Sequence, residues 1–520
     1  MKILLPFVLL GGALAIAQTR ITSTVTTARV AQGQLAGIAS PDGVVVAFKG
    51  VPFAAPPIGD LRWRAPRPPA SWSGVRKADA YAANCMQNIV DARKPWTYEF
   101  MAHGATSEDC LYLNVWTPAK NAAERHPVLV YIHGGANTEG SGSVPVYDGT
   151  GLASKGLVVV TINYRLGAFG FLAHRELTQE SPSHASGNYG LLDQIAAVRW
   201  VQANIAAFGG DPARITVAGQ SAGAFAVRNL LVSPLAAGLF QRAIAESGVS
   251  LAATARTLAD AEGDGDRYAR AKNAASIAEL RALPAAQIAT PPVGGAPIRW
   301  GTVVDHYALP ASEADAFAAA GSHDVPVLTG TNRDEGGAVP QPTTTAAAFQ
   351  KQAQQRYGDR AAAFLALYPA ATDEEAKTAQ NASARDASRV TTSIWAAARA
   401  KTAKSPTFTY FWDHTLPGPD AAQFGAFHTS EVPYAMNTLA FSDRPFAPED
   451  RKIADVLSSY WANFAAGGDP NGAGLPHWPS VSEQPDATMN LGDTFAPIPL
   501  AGNADRLRLL RALLAPRPRS

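Results

Sequence analysis

The chain has 520 residues, 47% of them hydrophobic and 17% charged, which is the composition of a globular protein with ample material for a core. Its formal net charge of +1 gives no sign of a nucleic-acid or acidic-membrane partner, although a local basic patch stays open. No long polar linker and no internal repeat divides the sequence, so we expect residues 18–520 to form one domain.

The first residues have the pattern of a secretory signal peptide. Lys2 supplies a positive charge, residues 3–14 form a short apolar core, and residues 15–17 read Ala-Ile-Ala, a small-x-small cleavage site. The apolar run is too short to span a membrane, which disfavours a retained anchor, and no later stretch approaches the roughly 18 apolar residues that a span needs. We therefore expect a signal peptide at 1–17, a periplasmic or extracellular location, and no membrane anchor.

Only two cysteines are present, Cys85 and Cys110. In an exported protein we expect such a pair to form one disulfide, and two free buried thiols are the alternative. The disulfide would close a loop that carries several aromatic residues.

Strands and helices alternate along the mature chain. Apolar runs without alternation, such as 157–163, are typical of strands buried on both faces of a sheet. The pattern predicts strands at 30–38, 44–48, 111–116, 127–132, 157–163, 215–218, 242–246, 325–330 and 407–413. It predicts helices at 189–207, 222–231 and 448–464, with further helical stretches within 251–320 and 361–404. This order favours an α/β fold with a mostly parallel central sheet, helices on both faces, and helical insertions over the carboxyl edge.

The motif at 215–223, Ile-Thr-Val-Ala-Gly-Gln-Ser-Ala-Gly, runs from a strand into a helix through Gly-x-Ser-x-Gly. Gly219 and Gly223 leave room for a sharp turn that lifts the Ser221 hydroxyl clear of the sheet. The start of the following helix also favours developing negative charge. A turn that contains serine by chance is the alternative, but the strand before it and the helix after it favour Ser221 as a nucleophile.

A nucleophilic serine needs hydrogen-bond donors for an oxyanion, and a glycine-rich turn supplies candidates. Residues 133–136, His-Gly-Gly-Ala, directly follow a predicted strand, as the oxyanion loop of lipases and esterases does. Small side chains let backbone amides reach a substrate oxygen, although such a turn also occurs as an ordinary loop. We predict the amides of Gly135, Ala136 and Ala222 as the oxyanion donors.

The residues alone leave the acid and the base of such a site open. In this fold class the order along the chain is serine, acid, histidine. Asp334 and Glu335 both follow the predicted strand at 325–330, and Asp305 follows an earlier Val-Val pair. The histidines after this acid loop are His414, His428 and His477. Each of these residues, taken alone, is more often a surface or packing residue.

Two long motifs and several short ones occur together over nearly all of the mature chain. The long ones are Phe-Gly-Gly-Asp-Pro-Ala-Arg-Ile-Thr-Val-Ala-Gly-Gln-Ser-Ala-Gly at 208–223 and Glu-Asp-Cys-Leu-Tyr-Leu-Asn-Val-Trp-Thr-Pro at 108–118. The short ones lie at 50–54, 61–63, 186–193, 332–336, 460–464 and 468–472. With these motifs the chain resembles the type-B carboxylesterases, the α/β-hydrolase family that also includes cholinesterases and related lipases.

The resemblance implies a triad of Ser221, Glu335 as the acid and His428 as the base. It also implies a Cys85–Cys110 disulfide and a supporting position for Ser247 behind the acid. The implied reaction is the hydrolysis of a carboxylic ester in two steps. His428 takes the proton of Ser221, which attacks the carbonyl group, and water then releases the acid from an acyl-enzyme.

Three positions depart from the family pattern. Ala136 replaces the third glycine of the oxyanion loop, which keeps the amide but narrows the space for bulky groups. Gln220 replaces the glutamate that precedes the nucleophile in cholinesterases, which weakens a choline-ester assignment. His306 replaces the glycine that usually follows the aspartate at position 305, which makes it a candidate pocket residue.

Other functions stay open at this stage. Within enzymes they are a lipase that uses the cysteine loop as a lid, and an esterase for bulky esters such as polycarboxylate-ester mycotoxins. A non-catalytic adhesion or binding protein of the same fold is the remote alternative. We expect a small-molecule ester as the partner and neither cofactor nor metal, since no His-Glu-x-x-His, paired Cys-x-x-Cys or nucleotide cradle occurs. The candidate pocket aromatics, which could equally pack in the core, are Trp96, Tyr98, Phe100 and Trp300.

Overall fold

The structure is a computed structural model that describes residues 25–248, 256–292, 294, 296–338 and 344–515. The predicted signal peptide, residues 1–17, lies outside the described residues. The strands are β1 (Thr27–Val30), β2 (Gly33–Ala36), β3 (Ile38–Ala39), β4 (Val46–Pro52), β5 (Val75–Lys77), β6 (Asn84–Cys85), β7 (Thr106–Ser107), β8 (Tyr112–Thr117), β9 (His126–Ile132), β10 (Val158–Ile162), β11 (Gly210–Gln220), β12 (Arg242–Glu246), β13 (Val327–Asn332), β14 (Thr407–Trp412), β15 (Ala487–Leu491) and β16 (Ala496–Pro499).

Eleven of these strands form one sheet, in the order β16-β15-β14-β13-β12-β11-β9-β10-β8-β4-β3. The central strands from β15 to β10 in this order all pair in parallel. At the two edges, β16 on one side and β8, β4 and β3 on the other pair antiparallel. The mostly parallel sheet predicted from the alternation of strands and helices is therefore present.

Two hydrophobic cores cover the two faces of this sheet. Along β9 the buried side chains alternate between them, with Val128 in one core and Leu129 in the other. The first core includes side chains of the helix Tyr189–Asn204, and the second includes side chains of the helix Pro448–Gly467. Burial on both faces explains why the central strands read as continuous apolar runs.

Most predicted helices are present. The helix predicted at 189–207 ends in a 3-10 turn before Gly209, whose φ of 76° closes it. Within the described residues, no helix is both long and apolar enough to cross a membrane. The α-helices are Thr150–Ala153, Gly167–Phe171, Arg175–Glu180, Tyr189–Asn204, Ala222–Val232, Leu258–Ala271, Ile277–Ala282, Ala285–Ala289, Glu313–Ala318, Ala346–Tyr357, Ala361–Leu367, Asp373–Ala400, Ala421–Phe424, Val432–Ala435, Pro448–Gly467 and Ala504–Leu514. The 3-10 helices are Gly59–Leu61, Tyr98–Phe100, Pro145–Tyr147, Ile205–Phe208, Pro234–Ala236, Glu335–Ala338, Gly358–Arg360 and Leu439–Phe441.

The structure differs from the predicted elements near the start of the described chain and at one edge of the large sheet. The strand predicted at 30–38 is broken, because its first residue ends β1, residues 33–36 form β2 and Ile38 begins β3. β1 and β2 pair as a hairpin in a separate sheet with β5. Neither β15 nor β16 is among the predicted strands. β16 contains two prolines, and the sheet tolerates them because β16 is an edge strand.

The loop between the two cysteines is fastened at several points. Cys85 and Cys110 form a disulfide with an S–S distance of 2.05 Å and a sequence separation of 25. Inside the loop, the Gln87 side chain donates from Nε2 to the carbonyl of Gly140 and accepts from the amide of Gly140, both at 2.8 Å. The cysteine loop is therefore held against the segment that follows the predicted oxyanion loop.

Candidate active site

Ser221 lies at the turn between β11 and the helix Ala222–Val232. Its backbone has φ 57° and ψ −120°, a strained conformation that costs on the order of 1–3 kcal/mol and must be held by its surroundings. A Cβ on Gly223 would lie 2.0 Å from the carbonyl oxygen of Ile132, and a Cβ on Gly219 would lie 2.6 Å from the carbonyl carbon of Gly223. Only glycine fits at both positions, as expected for a turn that presents the serine.

The imidazole of His428 lines the same cavity as Ser221 and contacts the side chain of Gln220, the residue before Ser221. The Nε2 atom of Gln220 lies 3.2 Å from Nε2 and 3.4 Å from Nδ1 of His428. Ser221 and His428 line the same cavity, and their side chains form no hydrogen bond with each other in the described structure. Such bonds between a nucleophile and its base are often loose before substrate binds.

Glu335 holds the other side of the His428 ring. The ring donates from Nδ1 to Oε2 of Glu335 at 2.5 Å. The second carboxylate oxygen accepts from the amide of Asn332 at 2.8 Å and from the hydroxyl of Thr331 at 2.9 Å. These donors hold the Glu335 carboxylate in place. Because Nδ1 of His428 donates to this carboxylate, Nε2 is the ring nitrogen that can accept a proton.

The loops that carry Glu335 and His428 are joined directly. The amide of Asp334 donates to the carbonyl of Ala426 at 3.0 Å, and the side chain of Asn332 donates to the carbonyl of Phe427 at 2.8 Å. After His428, the hydroxyl of Thr429 accepts from the indole of Trp96 at 2.7 Å. The histidine therefore sits between the acid loop and the cysteine loop.

The charges of this pair shift both pKa values. Burial acts to lower the pKa of His428, but the charge of Glu335 and its hydrogen bond outweigh burial and raise that pKa above 6.5. For Glu335, burial acts to raise the pKa, and the charge and hydrogen bond of His428 together with the Asn332 amide lower it below 4.5. Ser247 faces Glu335 and also favours its ionised form, although the buried Ser247 hydroxyl does not reach hydrogen-bond geometry.

Two more buried glutamates lie behind this pair. Glu246, at the end of β12, accepts from the indole of Trp461 at 2.7 Å, and burial raises its pKa to about 7. Glu431 accepts from Asn332 Nδ2 at 2.5 Å, and burial followed by the charge of Glu246 raises its pKa well above 4.5. Of the three carboxyls, only Glu335 has a lowered pKa, and it is the one that contacts the His428 ring.

The predicted oxyanion loop lies against Ser221. A Cβ on Gly134 would lie 3.2 Å from the Cβ of Ser221. Gly135 and Ala136 have φ values of 105° and 54°, and the carbonyl of Gly135 accepts from the amide of Glu139 at 3.0 Å. Ala136 therefore has a left-handed backbone conformation, which glycine adopts more easily than a residue with a side chain does.

The cavity at this site, which we call the Ser221 cavity, has a volume of about 230 Å³. Its polar wall contains Ser221, His428, Gln220 and the backbone of Gly134 to Ala136. Among the described residues, no group of three or more His, Cys, Asp or Glu side chains is placed to hold a metal ion. The rest of its wall consists of Gln87, Asn88, Ile89, Val90, Arg93, Trp96, Phe100, Met101, Ala102, Glu139, Gly140, Val144, Tyr147 and Thr429.

The other candidate acids and bases are engaged elsewhere. Asp334 pairs with Arg385 at 2.7 Å, and Asp305 accepts from two backbone amides within its own turn. His414 lies between two aspartates at 2.6 Å and 2.9 Å, and the largely exposed His477 is 3.7 Å from a surface glutamate. None of these four residues lines the Ser221 cavity.

The candidate aromatics divide into three groups. Trp96 and Phe100 line the Ser221 cavity, whereas Trp300 lines a neighbouring cavity. Tyr98 is 60% exposed and stacks on His103, so the structure does not place it in the pocket. His306 is exposed and contacts the carbonyl of Pro310, and it does not line the Ser221 cavity either.

Some residues of the site are absent from the sequence predictions. Tyr147 lines the Ser221 cavity, although its neighbours have no catalytic motif. Gln87 holds the segment after the oxyanion loop, and only its position between the two cysteines signals a role. Glu431 could have been found as a carboxylate three residues after His428.

Comparison with known proteins extends these local features to the whole chain. The family described as the Carboxylesterase family matches residues 23–508. Fumonisin B1 esterase of Sphingopyxis macrogoltabida is 39% identical over 457 residues, which cover 84% of this chain and 82% of that protein. Cocaine esterase of Homo sapiens is 34% identical over 484 residues, covering 87% and 84% respectively. Phenmedipham hydrolase of Pseudarthrobacter oxydans is 33% identical over 502 residues, covering 91% and 96%.

Proposed function

The chain belongs to the carboxylesterase family and is a carboxylic ester hydrolase with the α/β-hydrolase fold, and on this premise we propose that Ser221, His428 and Glu335 carry out the reaction. The observation that supports the proposal most directly is the 2.5 Å contact between His428 and Glu335 at the wall of the Ser221 cavity. The likeness to named esterases makes a non-catalytic binding protein the weaker explanation.

The proposed mechanism assigns one role to each group. Nε2 of His428 takes the proton of Ser221 as its oxygen attacks the ester carbonyl, and then gives that proton to the leaving alcohol. Glu335 keeps the ring in the required tautomer and stabilises the imidazolium. Water attacks the acyl-enzyme in the reverse sequence and releases the acid.

The amides of Gly135, Ala136 and Ala222 are the proposed oxyanion donors. Ala222 is the first residue of its helix, where backbone amides lack partners within the helix. Each donor of this kind contributes about 10²–10³ to the rate because it meets charge that develops only in the transition state. Ala136 has a left-handed backbone and keeps its amide in the oxyanion loop. Its methyl group narrows the space for bulky substrate groups.

The proposed substrate is a class of molecules, the small carboxylic esters. The three relatives named above are called after fumonisin B1, cocaine and phenmedipham, so family likeness alone selects no single ester. A cavity of about 230 Å³ beside Ser221 suits one portion of a small ester.

We further propose that the enzyme is exported and that residues 18–520 fold as one domain. The signal-like pattern at 1–17 and the Cys85–Cys110 disulfide support export, because disulfides persist in oxidising compartments. One continuous sheet that reaches from β3 to β16 supports a single domain.

Ser221→Ala tests the assignment of the nucleophile. We expect turnover of p-nitrophenyl acetate to fall by at least about 10⁴-fold with an unchanged far-UV spectrum, because no other group can form the acyl-enzyme. Diisopropyl fluorophosphate should label the parent protein at Ser221 and should not label the variant. Ser73→Ala, at an exposed serine, is the matched control. Near-parent turnover by a folded Ser221→Ala variant would refute the proposal.

A further inference from the structure

The side chain of Asp334 joins the acid loop, residues 332–335, to the base loop, residues 425–428. Its Oδ2 atom accepts from the amide of Ala426 at 3.0 Å, and the amide of Asp334 donates to the carbonyl of Ala426, also at 3.0 Å. The acid, Glu335, is the next residue after Asp334, and the base lies two residues after Ala426. This double link therefore sets the distance between the acid and the base across the two loops.

Two arginines from different elements hold the Asp334 carboxylate. Arg385, on the helix Asp373–Ala400, donates to Oδ1 at 2.7 Å, and Arg333, directly after β13, donates to Oδ2 at 2.9 Å. Burial acts to raise the pKa of Asp334, but the hydrogen bonds and charges of the two arginines outweigh burial and lower that pKa below 3.8. The carboxylate is thus ionised at neutral pH and held in one orientation.

The base loop is shaped to receive this carboxylate. Gly425 has φ 59° and ψ −140°, and a Cβ at this position would lie 2.2 Å from Oδ2 of Asp334. A side chain is thus excluded both by the backbone conformation and by the close contact. Neither Asp334 nor residues 425 and 426 line the Ser221 cavity. Any effect of Asp334 on the reaction must therefore pass through the two loops.

Without the carboxylate, the two loops would be held together less firmly. They would keep the backbone bond of Asp334 and the bond from the Asn332 side chain to the carbonyl of Phe427. The amide of Ala426 would lose its acceptor. A displacement of about 1 Å in a reacting group can cost about 10²-fold in rate, so a small change in loop spacing is enough to affect the reaction.

We propose that Asp334 is a positioning residue of the reaction and that its carboxylate sets the distance between Glu335 and His428. The guanidinium of Arg385 keeps the carboxylate in the required orientation, so the helix Asp373–Ala400 takes part in holding the active site. This inference rests on the proposed function of Glu335 and His428. It goes beyond that function because Asp334 lies outside the Ser221 cavity and acts through the loops it joins.

A test must separate the position of Asp334 from its charge, because charged groups from several elements lie around the two loops. These groups are Arg333, Arg385, Glu335, Glu246 and Glu431. Asp334→Ala removes both the charge and the oxygen that accepts from Ala426. Asp334→Asn removes the same charge and keeps an oxygen that can accept from this amide. Charge alone would therefore affect the two variants equally.

We expect Asp334→Ala to lower kcat for p-nitrophenyl acetate by about 10- to 100-fold. KM should stay within about threefold of the parent, because the wall of the Ser221 cavity is unchanged. The acid limb of kcat/KM should move to lower pH, since Glu335 raises the pKa of His428 through their contact. Asp334→Asn should restore kcat to within about fivefold of the parent and keep the parent midpoint.

Arg385→Gln tests the support from the helix. We expect a loss of about threefold in kcat, smaller than for Asp334→Ala, because Arg333 still holds the carboxylate. Asp505→Ala is the control, since it removes an acid from an exposed pair with Arg508 on the last helix. It should match the parent in kcat, KM and midpoint. Far-UV spectra and melting temperatures of all variants show whether each one is folded under the assay conditions.

The outcomes separate this inference from the proposed function. Parent kcat and midpoint in a folded Asp334→Ala variant, with only the melting temperature lowered, would reduce Asp334 to a stabilising residue. Equal changes in Asp334→Ala and Asp334→Asn would assign the effect to charge. If Asp334→Ala does not fold, parent kcat in Arg385→Gln would still overturn the inference. Failure of the proposed function would instead appear as turnover that persists in His428→Ala.

Discussion

Two glutamates that are joined by two hydrogen bonds through Asn332 have pKa values shifted in opposite directions. Glu335 receives donors from the His428 ring, the Asn332 amide and the Thr331 hydroxyl, and its side chain is 27% exposed. Glu431 is fully buried, accepts from the Asn332 side chain, and has its Oε1 atom without a hydrogen-bond partner among the described residues. Donors and solvent, and not the residue type, decide which carboxyl is ionised.

Asn332 connects the two carboxyl groups. Its backbone amide donates to Glu335 at 2.8 Å, and its side chain donates to Glu431 at 2.5 Å. Burial and the charges of Glu246 and Glu335 raise the pKa of Glu431, whereas the contacts with His428 and the Asn332 amide lower the pKa of Glu335. This arrangement follows the general rule that neighbouring carboxyls in a site take different roles when their pKa values are driven apart.

Replacing each glutamate by glutamine tests the difference between Glu335 and Glu431. We expect the largest loss of activity at Glu335. Glu335→Gln keeps the shape of the side chain but removes the charge that orients and stabilises the His428 imidazolium. We expect kcat for p-nitrophenyl acetate to fall by about 10³–10⁴-fold. The isosteric Glu431→Gln is the matched control, and equal losses in the two variants would contradict the division of charge.

The second test follows the protonation of His428 through the pH dependence of kcat/KM. The pKa of His428 is raised, so the ring is protonated and inactive as a base below that value and becomes active as pH rises through it. We expect the acid limb of kcat/KM in the parent enzyme to have a midpoint above 6.5. In Glu335→Gln the midpoint should fall below 6.5, because burial then acts alone. An unchanged midpoint in the variant would show that Glu335 does not set this pKa.

The smallest effect on activity is expected for Glu431→Gln, which mimics the protonated carboxyl. Turnover should stay within about fivefold of the parent. Stability should respond instead, because the folded protein keeps a proton that the unfolded chain releases above about pH 4.5. The free energy of unfolding of the parent should therefore fall as pH rises from about 4.5 through the raised pKa of Glu431. Denaturant titrations should find this fall smaller in Glu431→Gln, and equal pH dependence in the two proteins would contradict the raised pKa of Glu431.

The parallel centre of the fold could be predicted from sequence, and its edges could not. Strands such as β10 (Val158–Ile162) are short, largely apolar runs buried on both faces, so composition alone predicts them. β15 contains threonine and asparagine, and β16 contains two prolines, so neither has the pattern of a buried strand. Both depend on pairing with a neighbour that is already in place, which is a tertiary property.

The site divides in a similar way. The turn that carries Ser221 requires glycine at positions 219 and 223, and the motif therefore predicts it. The choice between Asp334 and Glu335 depends on partners far away in the chain, since Asp334 is drawn to Arg385 and Glu335 to His428. Only the family resemblance, and not local pattern, could predict that choice. The cavities are properties of packing, so the sequence could not separate Trp96 and Phe100, which line the Ser221 cavity, from Tyr98 and His306, which do not.

The disulfide-closed loop between Cys85 and Cys110 contributes nearly half of the wall residues of the Ser221 cavity, whereas Ser221, Glu335 and the oxyanion loop come from other segments. A change within that loop can therefore alter which molecules are admitted while the reacting groups keep their positions. Enzymes with this arrangement can acquire new substrates through substitutions in the disulfide-closed loop, with little effect on folding or on the reacting groups.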